Sequence, residues 1–206
     1  MLKLNVGEYT GEVVNRIHVE SSIITNTLYS ERKNNPAWHC HENLHICFVF
    51  QKGKAETKRR ATYTDERAGS IFFYYAGQVH RWISPSPVSK SANIEIGHDF
   101  LQKYALSEAD VECSIHENVA AKSIILKMQR EMQLSDQESR MSIQSLLLEL
   151  ANYSKGQASK VVPQWFTRLD ELLQDNWNEP VSLAEMATAI GVHPVTISKF
   201  FRKHFS

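Results

Sequence analysis

The sequence predicts an α+β protein, a β-rich barrel or sandwich followed by a set of helices. Three observations carry that prediction. Up to about Gly97 the chain is built of short runs of β-branched and aromatic residues, punctuated by Asn, Gly, Pro, Ser and Asp, the pattern of an all-β domain. From Asp99 onward apolar residues recur at helical spacing. The final stretch, Val181 to Ser206, reads as two short helices joined by a tight turn.

The expected strands cover Val13-Val14, Ile23-Ile24, His45 to Phe50, Gly53 to Thr62, Ile71 to Tyr75, Val79 to Ile83 and Ala92 to Ile96. In the helical part, Asn118 to Leu134 carries Ile124, Ile125, Met128 and Met132 on one face. Ser135 with Glu138 has capping-box spacing and opens a second helix to about Tyr153, striped by Ile143, Leu146, Leu147 and Leu150. These two stripes pack either on the β-domain or across a homodimer interface. Ser154 to Lys160, SKGQASK, is small, polar and aperiodic, as a flexible linker would be. Pro163 then opens a helix through Trp177. The expected organisation is therefore 1–98 for the β-domain, 99–153 for a helical connector, 154–162 for a linker and 163–206 for the terminal helices.

Composition bounds the function. The 206 residues are 42% apolar, with 23 basic and 23 acidic residues and a formal net charge of zero. Nucleic-acid affinity must then come from a local patch, since there is no bulk cationic field. No segment approaches the ~20 apolar residues of a membrane span, and MLKLNVGEYTGE lacks the basic start and apolar run of a signal peptide. A cytoplasmic protein is expected. Cys40, Cys47 and Cys113 form no CxxC pair and are odd in number, which argues against disulfides or a thiolate zinc site.

Two constellations carry chemistry. In WHCHENLH, alternation on an extended backbone puts His39 and His41 on one face, and His45 is in phase with them if the strand continues. His80 follows a Gly turn at the start of another strand. Imidazole is the commonest ligand for transition metals, so these four residues are a candidate metal site; a polar pocket without metal is the alternative reading. In the final stretch, Ser182 and Glu185 have capping-box spacing, and Leu183, Met186, Ala187 and Ile190 share a face. Gly191 ends the first helix, His193 caps the second and Pro194 takes its first position. Ile197, Phe200 and Phe201 are the buried face, which leaves Val195, Thr196, Ser198, Lys199 and Arg202 outside. His193 to Ser206 holds Lys199, Arg202 and Lys203 and no acid, so positive charge sits where phosphate attraction needs it. A ligand-free helical hairpin is the plainer alternative.

His39-x-His41 with the later Gly69…Gly77-x-x-His80 resembles the two motifs of the cupin barrel, and SLAEMATAIGVHPVTISKFFRKHFS closely resembles the first helix-turn-helix of AraC-type transcriptional regulators. Together the two cover most of the chain. The resemblance implies a double-stranded β-helix that senses a small molecule, with pocket candidates His39, His41, His45, Glu56, Tyr74, His80 and Trp82. Metal-binding cupins usually carry Glu where this chain has His45, so the implied ligands are the four imidazoles of His39, His41, His45 and His80, holding a divalent transition metal. It further implies base contacts from Val195, Ser198 and Lys199, with Thr196 beside them and Arg202 and Lys203 nearer the phosphates of double-stranded DNA. That family carries two helix-turn-helix units joined by a long helix, and this sequence ends with the first, so a fragment is expected. The expected function is a non-enzymatic, homodimeric transcriptional regulator that dimerises through helices within 118–153. The alternative from another class is a cupin metalloenzyme, a dioxygenase or isomerase, with a helical tail for assembly.

Overall fold

A computed structural model of the chain describes residues 1–30, 37–51, 53–57, 60–66, 68–83, 88–134, 136–152, 164–176 and 179–205. Ten strands come first: β1 Leu2–Leu4, β2 Glu12–Val19, β3 Ser22–Ser30, β4 His39–His41, β5 Leu44–Val49, β6 Gly53–Thr57, β7 Arg60–Glu66, β8 Ile71–Tyr74, β9 His80–Ile83 and β10 Val88–Ile96. Among the described residues seven helices follow: α1 His98–Lys103, α2 Glu108–Glu117, α3 Ala121–Leu134, α4 Gln137–Ala151, α5 Gln164–Asp175, α6 Leu183–Ile190 and α7 Pro194–Phe205.

The strands form two five-stranded sheets, ordered β1-β4-β9-β6-β7 and β2-β3-β10-β5-β8. Without β1 and β2, each sheet has four strands, β4-β9-β6-β7 and β3-β10-β5-β8, and the chain crosses repeatedly from one to the other. The two sets face each other as an eight-stranded jelly roll, the double-stranded β-helix that cupins share. The expected β-barrel is thus present, and its strand order alone establishes it.

Strands β5 and β10 of the second sheet are buried on both faces, and their alternation separates two environments. Leu44, Ile46 and Phe48 of β5 and Ala92, Ile94 and Ile96 of β10 join Ile17, Val19 and Ile24 in the largest apolar cluster, together with Phe100, Val111, Ile125, Met128, Ile143 and Leu147 of the helices. The other face of the same strands points into the roll. There Tyr29, Cys47, Val49, Tyr74 and Trp82 form a small aromatic cluster beside the buried polar residues Thr25, Thr27, Asn93 and Glu95. The main core therefore lies between sheet and helices, and the inside of the roll is left for polar groups.

Several local expectations are corrected. The run Gly53 to Thr62 contains all of β6 and the start of β7, two strands that pair antiparallel with Thr57 opposite Arg60. The strand carrying His39 and His41 does not continue to His45: a bend at Glu42-Asn43 carries the chain from one sheet to the other. Asn118 does not open α3; it is the C-cap of α2, a helix capped in turn by a Ser107–Asp110 capping box. The cap of α4 is Asp136 with Ser139, one residue beyond the expected Ser135 and Glu138. The stripes on α3 and α4 are covered within the chain, so a dimer must use other faces of these helices. The expected linker and Pro163 lie outside the described residues.

The terminal helices follow local sequence closely. The reciprocal Ser182–Glu185 capping box is formed, and Gly191 ends α6 with φ 70° and ψ 32°, a left-handed conformation that costs glycine least. Val195 N donates to His193 Nδ1 at 3.3 Å at the start of α7. Leu169, Ala187, Ile190 and Ile197 are the buried core here, with Trp165, Met186 and Phe201 packed on it. Leu183 is 42% exposed and stands outside the apolar cluster of these helices, which corrects its expected place on the buried face. Phe200 meets Trp165 edge-on and Phe166 at a tilt. A Lys122–Asp170 ion pair at 2.9 Å joins α3 to α5.

Candidate metal centre inside the jelly roll

His39, His41, His45 and His80 are all buried, with 2 to 4% of their surface exposed. Pairing of β4 with β9 sets His39 directly opposite His80, and His41 lies two residues along β4 on the same face. The turn before His80 is fastened to β4: Gly77, at φ 71°, donates its N–H to the His41 carbonyl at 2.9 Å. His45 reaches the same space from the opposite sheet. Its ring centroid lies 4.3 Å from that of His41.

The hydrogen bonds fix which nitrogens face the centre. His39 Nδ1 donates to the Ala37 carbonyl and His80 Nδ1 to the Gln78 carbonyl, each at 2.9 Å. Both rings are thereby held with an Nε2 lone pair available, as in metal-ligating histidines whose other nitrogen donates to a carbonyl. Tyr74 stacks flat on His80, with centroids 3.8 Å apart, and holds the ring's plane. Asn93 donates through its amide nitrogen to Thr27 Oγ1 at 2.9 Å, so its Oδ1 accepts from His45 Nε2 at 3.0 Å. His45 therefore differs from the other two in offering Nδ1.

Burial is the first cause that lowers the His39 pKa from its ordinary value, and His41 adds to it. Burial, followed by His41 and His80, takes His45 well below its usual range. His80 is pushed down to about 3, again by burial first and then by His39. Neutral imidazoles in a dry interior are good ligands and poor cations.

His39, His41 and His80 each offer one donor atom, and these atoms lie within 4.8 Å of one another. His45 falls outside that group and stands beside it. The cavity they share with Tyr9, Tyr29, Cys47, Tyr74, Trp82 and Asn93 is about 10 Å³, space for about one water or ion. Buried donor and acceptor atoms without partners converge here: both nitrogens of His41, His45 Nδ1 and His80 Nε2. Orphaned nitrogens around an ion-sized space, beside three histidines whose donor atoms lie close together, fit a divalent transition metal.

The structure thus brings together six of the seven expected pocket residues. Tyr74 and Trp82 line the cavity; Glu56 lies on β6, opposite Arg81, but its side chain is outside the described residues. Tyr9, Asn93 and Glu95 were missed. Asn93 and Glu95 had one signal, alternate polar residues in the otherwise apolar run Ala92 to Ile96. Tyr9 had none.

On α7, Val195 is 51% exposed; Thr196, Lys199 and Arg202 are exposed and Ser198 is half-buried. The Lys203 side chain is outside the described residues. Cys40 and Cys47 are buried and Cys113 is exposed. Among the described residues no helix is long and apolar enough to cross a membrane.

Fold and site together define a jelly-roll domain with a buried imidazole cluster, joined to a helical C-terminal part. No family model and no curated protein matches the sequence. Among solved structures the chain is similar to a cupin-2 domain protein of Shewanella frigidimarina (TM-score 0.34, 13% identity, covering 43% of this chain and 81% of that one). It is similar also to a cupin domain of Bordetella pertussis (0.33, 19% identity, 44% and 99%). A third is a Klebsiella pneumoniae protein with a double-stranded β-helix domain (0.33, 18% identity, 43% and 80%). These likenesses concern less than half of the chain.

Proposed function

We propose that this chain is a DNA-binding transcriptional regulator whose jelly roll senses a small ligand, and that the ligand is a divalent transition-metal ion. The observation that carries the DNA-binding half is the α6–Gly191–α7 unit. Its capping box, left-handed turn and Pro start orient α7 so that Val195, Thr196, Lys199 and Arg202 face solvent on one short cationic helix, the layout of a helix-turn-helix. The AraC-type resemblance of the same residues supports the reading. A cavity of about 10 Å³ favours an ion over an organic effector. Leu126, Leu134 and Met141, exposed at 46, 65 and 64% on α3 and α4, support a homodimer through the outer faces of these helices.

The test is binding of the protein to its own upstream DNA against scrambled DNA over a range of salt. Lys199, Arg202 and Lys203 predict a log–log salt slope of about −3 per protomer, with preference for the upstream sequence. Lys199→Ala should weaken specific binding by about 1–3 kcal/mol at one base pair. A flat slope without sequence preference would sink the regulator reading.

The metalloenzyme reading has its own support in the three clustered histidines, since three protein ligands leave a coordination position open. The chain would then carry no sequence-specific DNA affinity, and its metal-loaded form would show an exchangeable water bound to the ion.

A further inference from the structure

His45 reaches the three-imidazole cluster from β5. The structure holds a carboxylate directly across the strand pair from it. In the antiparallel β5–β10 ladder, Glu95 is the register partner of His45, and its side chain is fully buried inside the roll.

Its surroundings are unusual for a buried acid. Glu95 Oε1 accepts from Gly7 N at 3.0 Å and from the Tyr9 hydroxyl at 2.6 Å. The same oxygen lies 3.6 Å from His41 Nδ1. Oε2 has no hydrogen-bond partner. Among the described residues no lysine or arginine pairs with it. A buried carboxylate without a countercharge is costly, and this one sits behind one ring of a three-imidazole cluster.

We propose that Glu95 is the positioning carboxylate of this centre: it holds His41 with Nδ1–H toward Oε1 and Nε2 toward His39 and His80, and supplies the negative charge that a divalent cation there offsets. Gly7 and Tyr9 fix Oε1 in turn. Tyr9 also covers the site, its ring 5.2 Å from that of His41 and 5.7 Å from that of His45. Carboxylate, histidine and metal would form a triad in which the acid orients a ligand without being one. All three histidines then present Nε2, two oriented by backbone carbonyls and one by Glu95. The inference rests on the metal reading of the three histidines and adds the residue that makes one of them a ligand.

Zinc titration by calorimetry on the full chain tests it, with Glu95→Gln and His39→Ala beside the natural sequence, alongside thermal melts of each metal-free protein. The natural chain should bind one zinc, and Glu95→Gln should bind it about 10–100-fold more weakly. The metal-free Glu95→Gln protein should melt at the same temperature or higher, because an uncompensated buried charge has gone. Equal zinc affinity in the two, or weaker affinity with a lower metal-free melting temperature, overturns the role of Glu95. Failure of the natural chain to bind zinc any better than His39→Ala overturns the metal reading itself, and the proposal with it. Nitrogen NMR of His41 in the natural chain needs no variant to fold: an Nδ1–H tautomer is expected, and Nε2–H would refute the assignment.

Discussion

His80 is the histidine whose environment is described most completely. Its Nδ1 is committed to a carbonyl, its face is stacked on Tyr74, and burial takes it down to about 3. In the unfolded chain it titrates near 6.5, so between those values the unfolded state binds the extra proton and stability falls as pH falls. The metal-free protein should lose stability as it is acidified from about pH 6.5 toward 3, and His80→Gln should flatten part of that slope in denaturant titrations at stepped pH. A variant slope equal to the natural one would show that His80 contributes none of it. His39, His41 and His80 were legible because two motifs with the right internal spacing need no knowledge of the fold. Glu95 was legible only as a polar residue in an apolar run: its partners lie far away in sequence, Gly7 in the turn before β2 and His41 on the opposite sheet, and only the closed roll brings them together.

At the scale of elements, legibility tracked locality. The Ser182–Glu185 box, the Gly191 turn and the Pro194 start each depend on contacts within four residues, and each could be read directly. Ser182→Ala should cost about 1 kcal/mol, measured by denaturant unfolding followed at the tryptophans, with Glu185→Ala giving a similar loss because the two caps are reciprocal. A silent Ser182→Ala would mean that α6 is held by packing alone. The cap of α4 shows the limit of such reading, since SDQES fits the pattern beginning at Ser135 and again at Asp136. The three-residue strands β1 and β4 are too short to show an alternation. Both exist through pairing, Leu2 with His39 and Leu4 with His41 in parallel.

For the molecule as a whole, the sequence showed which stripes are apolar but not what covers them. The α3 and α4 stripes close on the outer face of the second sheet, and that choice leaves the inside of the roll free for polar side chains. If the exposed apolar residues of those helices form the homodimer proposed above, Met141→Glu should convert a dimer to a monomer in light scattering without changing the fold seen by circular dichroism. An unchanged mass would move the interface elsewhere.

The two-sided burial of β10 also limits how this chain can change over generations. Substitutions at its positions can be accommodated one at a time. Insertion or loss of one residue within Val88 to Ile96 would exchange the strand's two faces, turning Asn93 and Glu95 toward the helices and Ile94 toward the histidines. Changes by two residues preserve the facing. Descendants that keep the centre should therefore differ in β10 length by even steps, a parity rule that a comparison of such sequences can check.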